Sequence, residues 1–251
     1  MLTRNMLKVN DIQFQFQDLL KAGKFVADKS GVKTLEIVNA SFIADEESIF
    51  GVLNYDYIDR ELEWYKSMSL NVNDIPGKVP EIWKRVATPD GRINSNYGWC
   101  IWAKENSEQY KNVLSELICN TETRRAIMIY TRPSMHDDFC KDGMSDFMCT
   151  NTVQYLLRDG QIHAIVNMRS NDVWAGYRND YAWQKHVLDL LVADYNRLTE
   201  SNIAAGDIHW NVGSLHCYER NFWMVECYGK FRRNMSKAEY IALCPDSKYI
   251  S

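Results

Sequence analysis

The chain has 251 residues, 46 % hydrophobic and 25 % charged, and its 29 Lys and Arg against 33 Asp and Glu give a formal net charge of −4. That balance is globular and excludes a disordered chain, and the mild negative charge argues against bulk electrostatic capture of nucleic acid or of an anionic membrane, leaving room for a local basic pocket. No apolar stretch approaches the roughly 18 residues of a membrane span, and the first twenty residues lack a secretory apolar core, so a soluble intracellular protein is expected.

In chain order, an opening helix is predicted through Ile12, Phe16, Leu19 and Leu20, with Gly23 as its stop. A strand follows over Lys33–Ile43, after the polar loop Asp28-Lys29-Ser30-Gly31. The next helix carries Ile58, Leu62 and Tyr65 on one face; Glu61 shares that face, whereas Glu63 points away. Pro76-Gly77 and Pro89-Asp90-Gly91 bracket an isolated apolar pair, Ile82-Trp83. Arg125–Tyr130 reads as a short buried strand introduced by two arginines. Two β-rich runs, Thr150–Arg158 and Gln161–Ser170, flank Asp159-Gly160, a strong two-residue hairpin turn. This loop length sets a register in which Cys149 lies opposite Ser170, and a bulge is needed to bring Arg169 to the face of Cys149. A helix is expected from about Asp180, with Trp183, Val187, Leu190 and Leu191 as its buried stripe. A strand at Asp207–Val212 then leads through Gly213 into a helix carrying Tyr218, Phe222 and Val225. No repeat, low-complexity tract or linker divides the chain, so residues 1–251 read as a single domain. Long strands mixed with helices, without a βαβ rhythm, favour an α+β fold.

Several residues carry two readings. Glu61 on an apolar face is either a snorkelled rim carboxylate or a desolvated general acid/base. The seven cysteines form no C-x-x-C pair and are odd in number, so reduced thiols and no zinc site are expected. Cys149, where Lys141-Asp142-Gly143 enters the hairpin, is either a structural cysteine or a thiolate favoured by a neighbouring guanidinium. Arg124, Arg125 and Arg169 are either surface charges or forks for a phosphate dianion. Asp180 also reads as a helix N-cap, His216 as a core or capping histidine, and Trp83 as core. The residues taken one by one reach only an α+β protein with a candidate thiolate–arginine site.

Their combination reaches further. Arg169-Ser170-Asn171-Asp172-Val173 is followed by Gly176 and a polar residue at 180, and Cys149 stands twenty residues before Arg169. Glu61-Leu62-Glu63-Trp64, Ile82-Trp83, Tyr97-Gly98, Arg124-Arg125 and Gly213-Ser214-Leu215-His216-Cys217-Tyr218 occur in matching order. Together these resemble the thymidylate synthase superfamily, from about residue 25 to about residue 228. Three departures stand out: Met148-Cys149-Thr150 around the nucleophile, Lys29 in place of a phosphate-loop arginine, and Asp180 in place of the asparagine that reads uracil. With Tyr130-Thr131-Arg132-Pro133-Ser134-Met135 and the run from Asp146 to Thr152, they resemble the bacteriophage branch that hydroxymethylates deoxycytidylate.

The resemblance implies a thymidylate-synthase-like α+β fold, with a large mixed sheet covered by helices on one face and packed back to back in a homodimer. It implies Cys149 as the nucleophile toward C6 of dCMP and Glu61 as the proton-transfer residue that orders a water. Asp180 would read the base. Arg169, Ser170 and Lys29 would hold the phosphate, with Arg124 and Arg125 reaching from the other subunit, and His216 and Tyr218 would hold the sugar hydroxyl. Trp83 would stack on the folate beside Ile82 and Tyr97, with Asp172 on its pterin. The implied co-substrate is 5,10-methylenetetrahydrofolate, with no metal, and the product would be a modified precursor for phage DNA, made in the cytoplasm of the infected host. Other phage nucleotide-synthesis enzymes are expected partners; direct contact with nucleic acid or membrane is not. Two other outcomes stay open on these residues: a methylating synthase acting on dUMP or dCMP, and a non-catalytic nucleotide-binding component of a precursor-synthesis complex. A Cys-His hydrolase would require His216 to contact Cys149.

The Asp180 assignment also follows from hydrogen bonding. Uracil offers an N3–H donor and an O4 acceptor, which a carboxamide matches; cytosine offers an N3 acceptor and an amino donor. A carboxylic acid, or a carboxylate facing N3-protonated cytosine, matches the second pattern, whereas a carboxylate facing O4 has no donor to offer.

Overall fold

In the computed structural model, residues 6–28 and 31–250 are described. The strands are β1 (Val26–Ala27), β2 (Lys33–Ile43), β3 (Ile127–Ile129), β4 (Thr150–Arg158), β5 (Gln161–Asp172) and β6 (Ala204–Tyr218). They form one mixed six-stranded sheet in the order β1-β2-β6-β5-β4-β3. The α-helices are α1 (Val9–Lys21), α2 (Tyr55–Ser67), α3 (Glu81–Val86), α4 (Tyr97–Trp102), α5 (Gln109–Cys119), α6 (Met135–Asp138), α7 (Ala175–Thr199), α8 (Phe222–Phe231) and α9 (Lys237–Leu243). Among the described residues no helix is long and apolar enough to cross a membrane.

Local chemistry explains the elements that the sequence anticipates. Helix α1 buries Ile12, Phe16 and Leu20 and stops at Gly23, whose backbone adopts φ +63°. Lys24 N–H donates to Leu19 O and Gly23 N–H to Leu20 O, the paired bonds of a Schellman ending. The hairpin turns at Asp159 (φ 50°) and Gly160 (φ 73°), both left-handed as a type I′ turn demands. Asn167 Nδ2 donates to Thr152 Oγ1 across it at 3.2 Å, a pair that fits the anticipated register.

Several boundaries differ from the sequence reading. The short strand expected over Arg125–Tyr130 spans only Ile127–Ile129, with its two ends exposed. Strand β5 runs on to Asp172 and β6 starts at Ala204. Two further differences bear on the site. Helix α7 starts at Ala175, not near Asp180, because Asp172 Oδ1 accepts from the backbone N–H of Trp174 (2.9 Å) and of Ala175 (2.7 Å). The capping role weighed for Asp180 therefore belongs to Asp172. Strand β6 does not end at Gly213 but continues to Tyr218, so His216 and Tyr218 are strand residues, not the approach to a helix.

By internal contacts the chain falls into two compact units. Unit 1 comprises Met1–Leu53, Met168–Tyr181 and Ile208–Ser251; unit 2 comprises Asn54–Asn167 and Ala182–Asp207. The core of unit 1 is aromatic, with Phe42 against Tyr177 (6.1 Å) and Tyr177 edge-on to Trp210 (5.3 Å). Within it, three strands slip phase together. Buried positions in β5 are even-numbered from Ile162 to Met168 and then shift to Asn171, which places the slip at Arg169 and Ser170. The β2–β6 register runs from Thr34↔Tyr218 to Val38↔Ser214 and resumes at Ala40↔Val212, skipping Asn39 (φ 57°) and Gly213. A Cβ at Gly213 would lie 2.8 Å from Arg169 O, so glycine here marks a close strand approach instead of a strand end.

Unit 2 packs α2 against α4 through Tyr65 and Tyr97, whose rings stack at 5.1 Å. Trp183 of α7 meets Tyr65 edge-on at 5.2 Å. Gly98 permits the approach of the two helices: a Cβ there would sit 1.8 Å from Tyr65 O. Gly98→Ala is expected to cost roughly 3 kcal/mol or more, because neither backbone can yield without opening this core. A urea titration checks this, and an unchanged midpoint would refute it.

Candidate active site

In unit 2 the central feature is a closed ring of hydrogen bonds. Glu61 lies on the inner face of α2, 4 % exposed. Tyr57, one turn earlier, donates its hydroxyl proton to Glu61 Oε1 at 2.5 Å. The indole N–H of Trp83 reaches Glu61 Oε1 at 3.0 Å and the Tyr57 oxygen at 2.9 Å. Burial and the neighbouring carboxylate hold the Tyr57 phenol well above the usual tyrosine range, so it stays a donor. The rim reading of Glu61 is thus excluded: its carboxyl is buried and held by two donors. Trp83 is also more than core, since α3 buries none of its residues and Ile82 beside it is 59 % exposed.

Tyr57 was missed in the sequence. Its signal was the i, i+4 spacing to Glu61, which puts both on one helical face. Nothing in the spacing reveals that Trp83, 22 residues away, closes the ring.

An aromatic chain runs from this ring toward Cys149. Trp83 contacts Trp64 (5.2 Å), Trp64 contacts Tyr65 (5.2 Å), and Tyr65 stacks on Tyr97. The Tyr97 hydroxyl accepts from Thr150 Oγ1 at 3.0 Å, next in sequence to Cys149. Tyr97 is itself 4 % exposed, so its clearest role is to support the strand that begins beside Cys149. The segment entering Cys149 is pinned by Asp146, whose carboxylate accepts from the N–H of Asn94 (2.7 Å), the N–H of Ser95 (2.8 Å) and the Ser95 hydroxyl (2.7 Å).

Burial separates Cys149 from five of the other six thiols; Cys244 is half-buried as well. Cys149 is half-buried, with Sγ 3.9 Å from Phe147 O. Burial pushes the Cys100 thiol up to about 12 and the Cys227 thiol up to about 11, and raises Cys217 well above the ordinary value. Those three are inert packing residues at neutral pH. Cys119 and Cys140 are exposed. Arg124 and Arg125 are exposed ahead of β3, the last strand of the sheet; Arg125 pairs with Glu116 at 3.0 Å.

Unit 1 carries the second group. Arg169 is exposed and Ser170 half-buried at the phase slip of β5. His216 and Tyr218 share one face of β6, ring against ring at 5.0 Å, and His216 Nδ1 lies 3.3 Å from Ser214 O. The Arg220 guanidinium sits over the Tyr218 ring at 4.4 Å. Asp180 projects from the second turn of α7, where its Oδ2 accepts from Asn171 Nδ2 at 2.7 Å. Asp172 uses Oδ1 to cap α7, while its Oδ2 is buried with no hydrogen-bond partner, an acceptor suited to a ligand N–H. Lys29 lies outside the described residues.

Comparison with known proteins bears on this arrangement. The family model described as thymidylate synthase matches residues 13–244. The chain is 58 % identical over 237 residues to the deoxycytidylate 5-hydroxymethyltransferase of Enterobacteria phage T4, covering 94 % of this chain and 96 % of that one. It is 60 % identical over 225 residues to the enzyme of the same name from Enterobacteria phage T6, covering 89 % and 92 %. Among solved structures, the thermostable thymidylate synthase A of Bacillus subtilis superposes with a TM-score of 0.66 at 19 % identity, covering 91 % of this chain and 86 % of that one, which establishes the fold.

Proposed function

The chain belongs to the thymidylate synthase family, and within that family we propose that it is a deoxycytidylate 5-hydroxymethyltransferase. It converts dCMP, 5,10-methylenetetrahydrofolate and water to 5-hydroxymethyl-dCMP and tetrahydrofolate. The observation that carries this reading is Asp180, a carboxylate held by Asn171 at the position where the family reads uracil with an amide.

The folate supplies one carbon at the oxidation state of formaldehyde; the chain's own residues do the rest. Cys149 Sγ adds to C6 of the pyrimidine, which makes C5 nucleophilic toward that carbon. The C5 proton then leaves, the bond from the new carbon to the folate nitrogen breaks to release tetrahydrofolate, and an exocyclic methylene remains on the base. Water adds to this methylene, and the thiolate departs from C6, restoring the aromatic ring. Glu61 moves the protons and orders the water, with Tyr57 and Trp83 fixing its Oε1 so that the carboxyl holds one orientation. Arg169 and Ser170, with Lys29, hold the phosphate dianion, joined by Arg124 and Arg125 from a second copy in a homodimer. His216 and Tyr218 hold the sugar hydroxyl. Trp83 and Ile82 face the folate, and the unpaired Asp172 Oδ2 takes a pterin N–H. The site of action is the cytoplasm of the infected cell, where the product serves phage DNA synthesis alongside other nucleotide-synthesis enzymes of the phage.

Glu61→Gln is expected to lower kcat by about 10²- to 10⁴-fold, the range for a lost general acid/base, while the retained amide oxygen can still accept from Tyr57 and Trp83. Tyr57→Phe removes one donor and is expected to lower kcat by roughly threefold to tenfold, with little change in KM for dCMP. Steady-state kinetics on both variants check these values; equal losses, or none, would contradict the roles given.

The folate product tests the reaction itself. Hydroxymethyl transfer leaves tetrahydrofolate, whereas methyl transfer consumes a hydride from the folate and leaves dihydrofolate. Chromatography of the folate after turnover of dCMP should show tetrahydrofolate alone. Stoichiometric dihydrofolate would return the protein to the methylating synthases, and absence of turnover would favour a binding component.

A further inference from the structure

Asn171 lies inside the Arg-Ser-Asn-Asp-Val run yet has no part in the chemistry described above. It is 3 % exposed, and both ends of its carboxamide are engaged. The indole N–H of Trp210 donates to Asn171 Oδ1 at 3.3 Å, and Asn171 Nδ2 donates to Asp180 Oδ2 at 2.7 Å. An indole can only donate, so the amide oxygen must face Trp210 and the amide nitrogen must face Asp180. A flipped amide would set N–H against N–H and oxygen against carboxylate. Trp210 is fully buried and braced edge-on by Tyr177 at 5.3 Å, which fixes the origin of this relay. Gly176 leaves room for it: a Cβ there would approach Asn171 Nδ2 to 3.0 Å.

We infer that Asn171, oriented by Trp210, is a positioning residue for cytosine recognition: it anchors Asp180 Oδ2 and so sets which edge of the carboxyl meets the base. The inference rests on Asp180 reading the base. The two partners of its carboxamide are Trp210 and Asp180, so its loss acts on nucleotide discrimination and leaves the chemical step in place.

The test uses the full-length protein with Asn171→Leu and Trp210→Phe, and Asp180→Asn alongside. Calorimetry gives the Kd of dCMP and of dUMP, and kinetics give kcat at saturating dCMP. Asn171→Leu should weaken dCMP binding by about ten- to hundredfold, leave dUMP binding within about twofold and largely preserve kcat, since the buried hydrogen bond that orients the Asp180 carboxyl is lost. Trp210→Phe keeps an aromatic ring and frees the amide to flip, so the same selective weakening should appear at roughly threefold to tenfold. It also carries the test should the leucine variant fail to fold. Equal weakening of both nucleotides, or none, while Asp180→Asn does change the preference, would overturn the role of Asn171 alone. An unchanged preference in Asp180→Asn would remove Asp180 as the base reader, and this inference with it.

Discussion

Cys149→Ser should lower turnover of dCMP by on the order of 10⁴-fold or more, because the reaction starts with addition of a thiolate to C6 and a serine hydroxyl is un-ionised and weakly nucleophilic at neutral pH. The substitution is nearly isosteric, and the segment leading to it is held independently by Asp146 through three hydrogen bonds. The protein should therefore fold normally and still bind nucleotide. Release of tritium from C5-labelled dCMP is the direct readout, since exchange at C5 requires addition at C6. Serine at Cys100, Cys217 or Cys227 should leave tritium release intact apart from any stability cost, as burial already holds those thiols protonated. Full release from the Cys149 variant would remove it as the nucleophile.

The second large effect is on specificity. Asp180→Asn should lower kcat/KM for dCMP by about 10²- to 10⁴-fold and raise it for dUMP, so that the preference moves toward uracil. Each mismatched buried hydrogen-bonding group costs about 1–3 kcal/mol; an amide cannot replace a carboxylate facing N3-protonated cytosine, whereas it matches the N3–H and O4 of uracil. Fold and stability should change little. Helix α7 is capped by Asp172, so position 180 contributes no cap, and an amide oxygen can still accept from Asn171. Parallel kinetics with dCMP and dUMP decide the matter; an unaltered preference for dCMP would mean that another group reads the base.

Much of the fold was legible because the deciding physics is local. The hairpin followed from Asp159-Gly160, the end of α1 from Gly23, and the inner face of α2 from the spacing of Ile58, Glu61 and Tyr65. The errors arose where a distant residue decides the outcome. Gly213 looked like the end of a strand, but its lack of a side chain serves the Arg169 carbonyl on a neighbouring strand, and β6 runs on past it. The start of α7 was misplaced because two acidic residues, Asp172 and Asp180, could each cap a helix, and only the fold shows which one does.

The site divides along the same line. Cys149, Glu61 and Asp180 stood out through residue type within a family-like pattern. Tyr57 and Trp210 did not, and Trp83 stood out only for its ring, because the polar atoms of these aromatic residues matter here as much as their rings. A sequence displays a tryptophan as a hydrophobe; only the fold reveals where its N–H points.

The most direct test of the account is the mass of the nucleotide product made from dCMP and 5,10-methylenetetrahydrofolate in ¹⁸O-labelled water. Hydroxymethylation predicts a cytosine nucleotide bearing a hydroxymethyl group that carries the label, because the oxygen enters as water at the methylene stage. A methyl group on C5, or a hydroxymethyl group without the label, would contradict it.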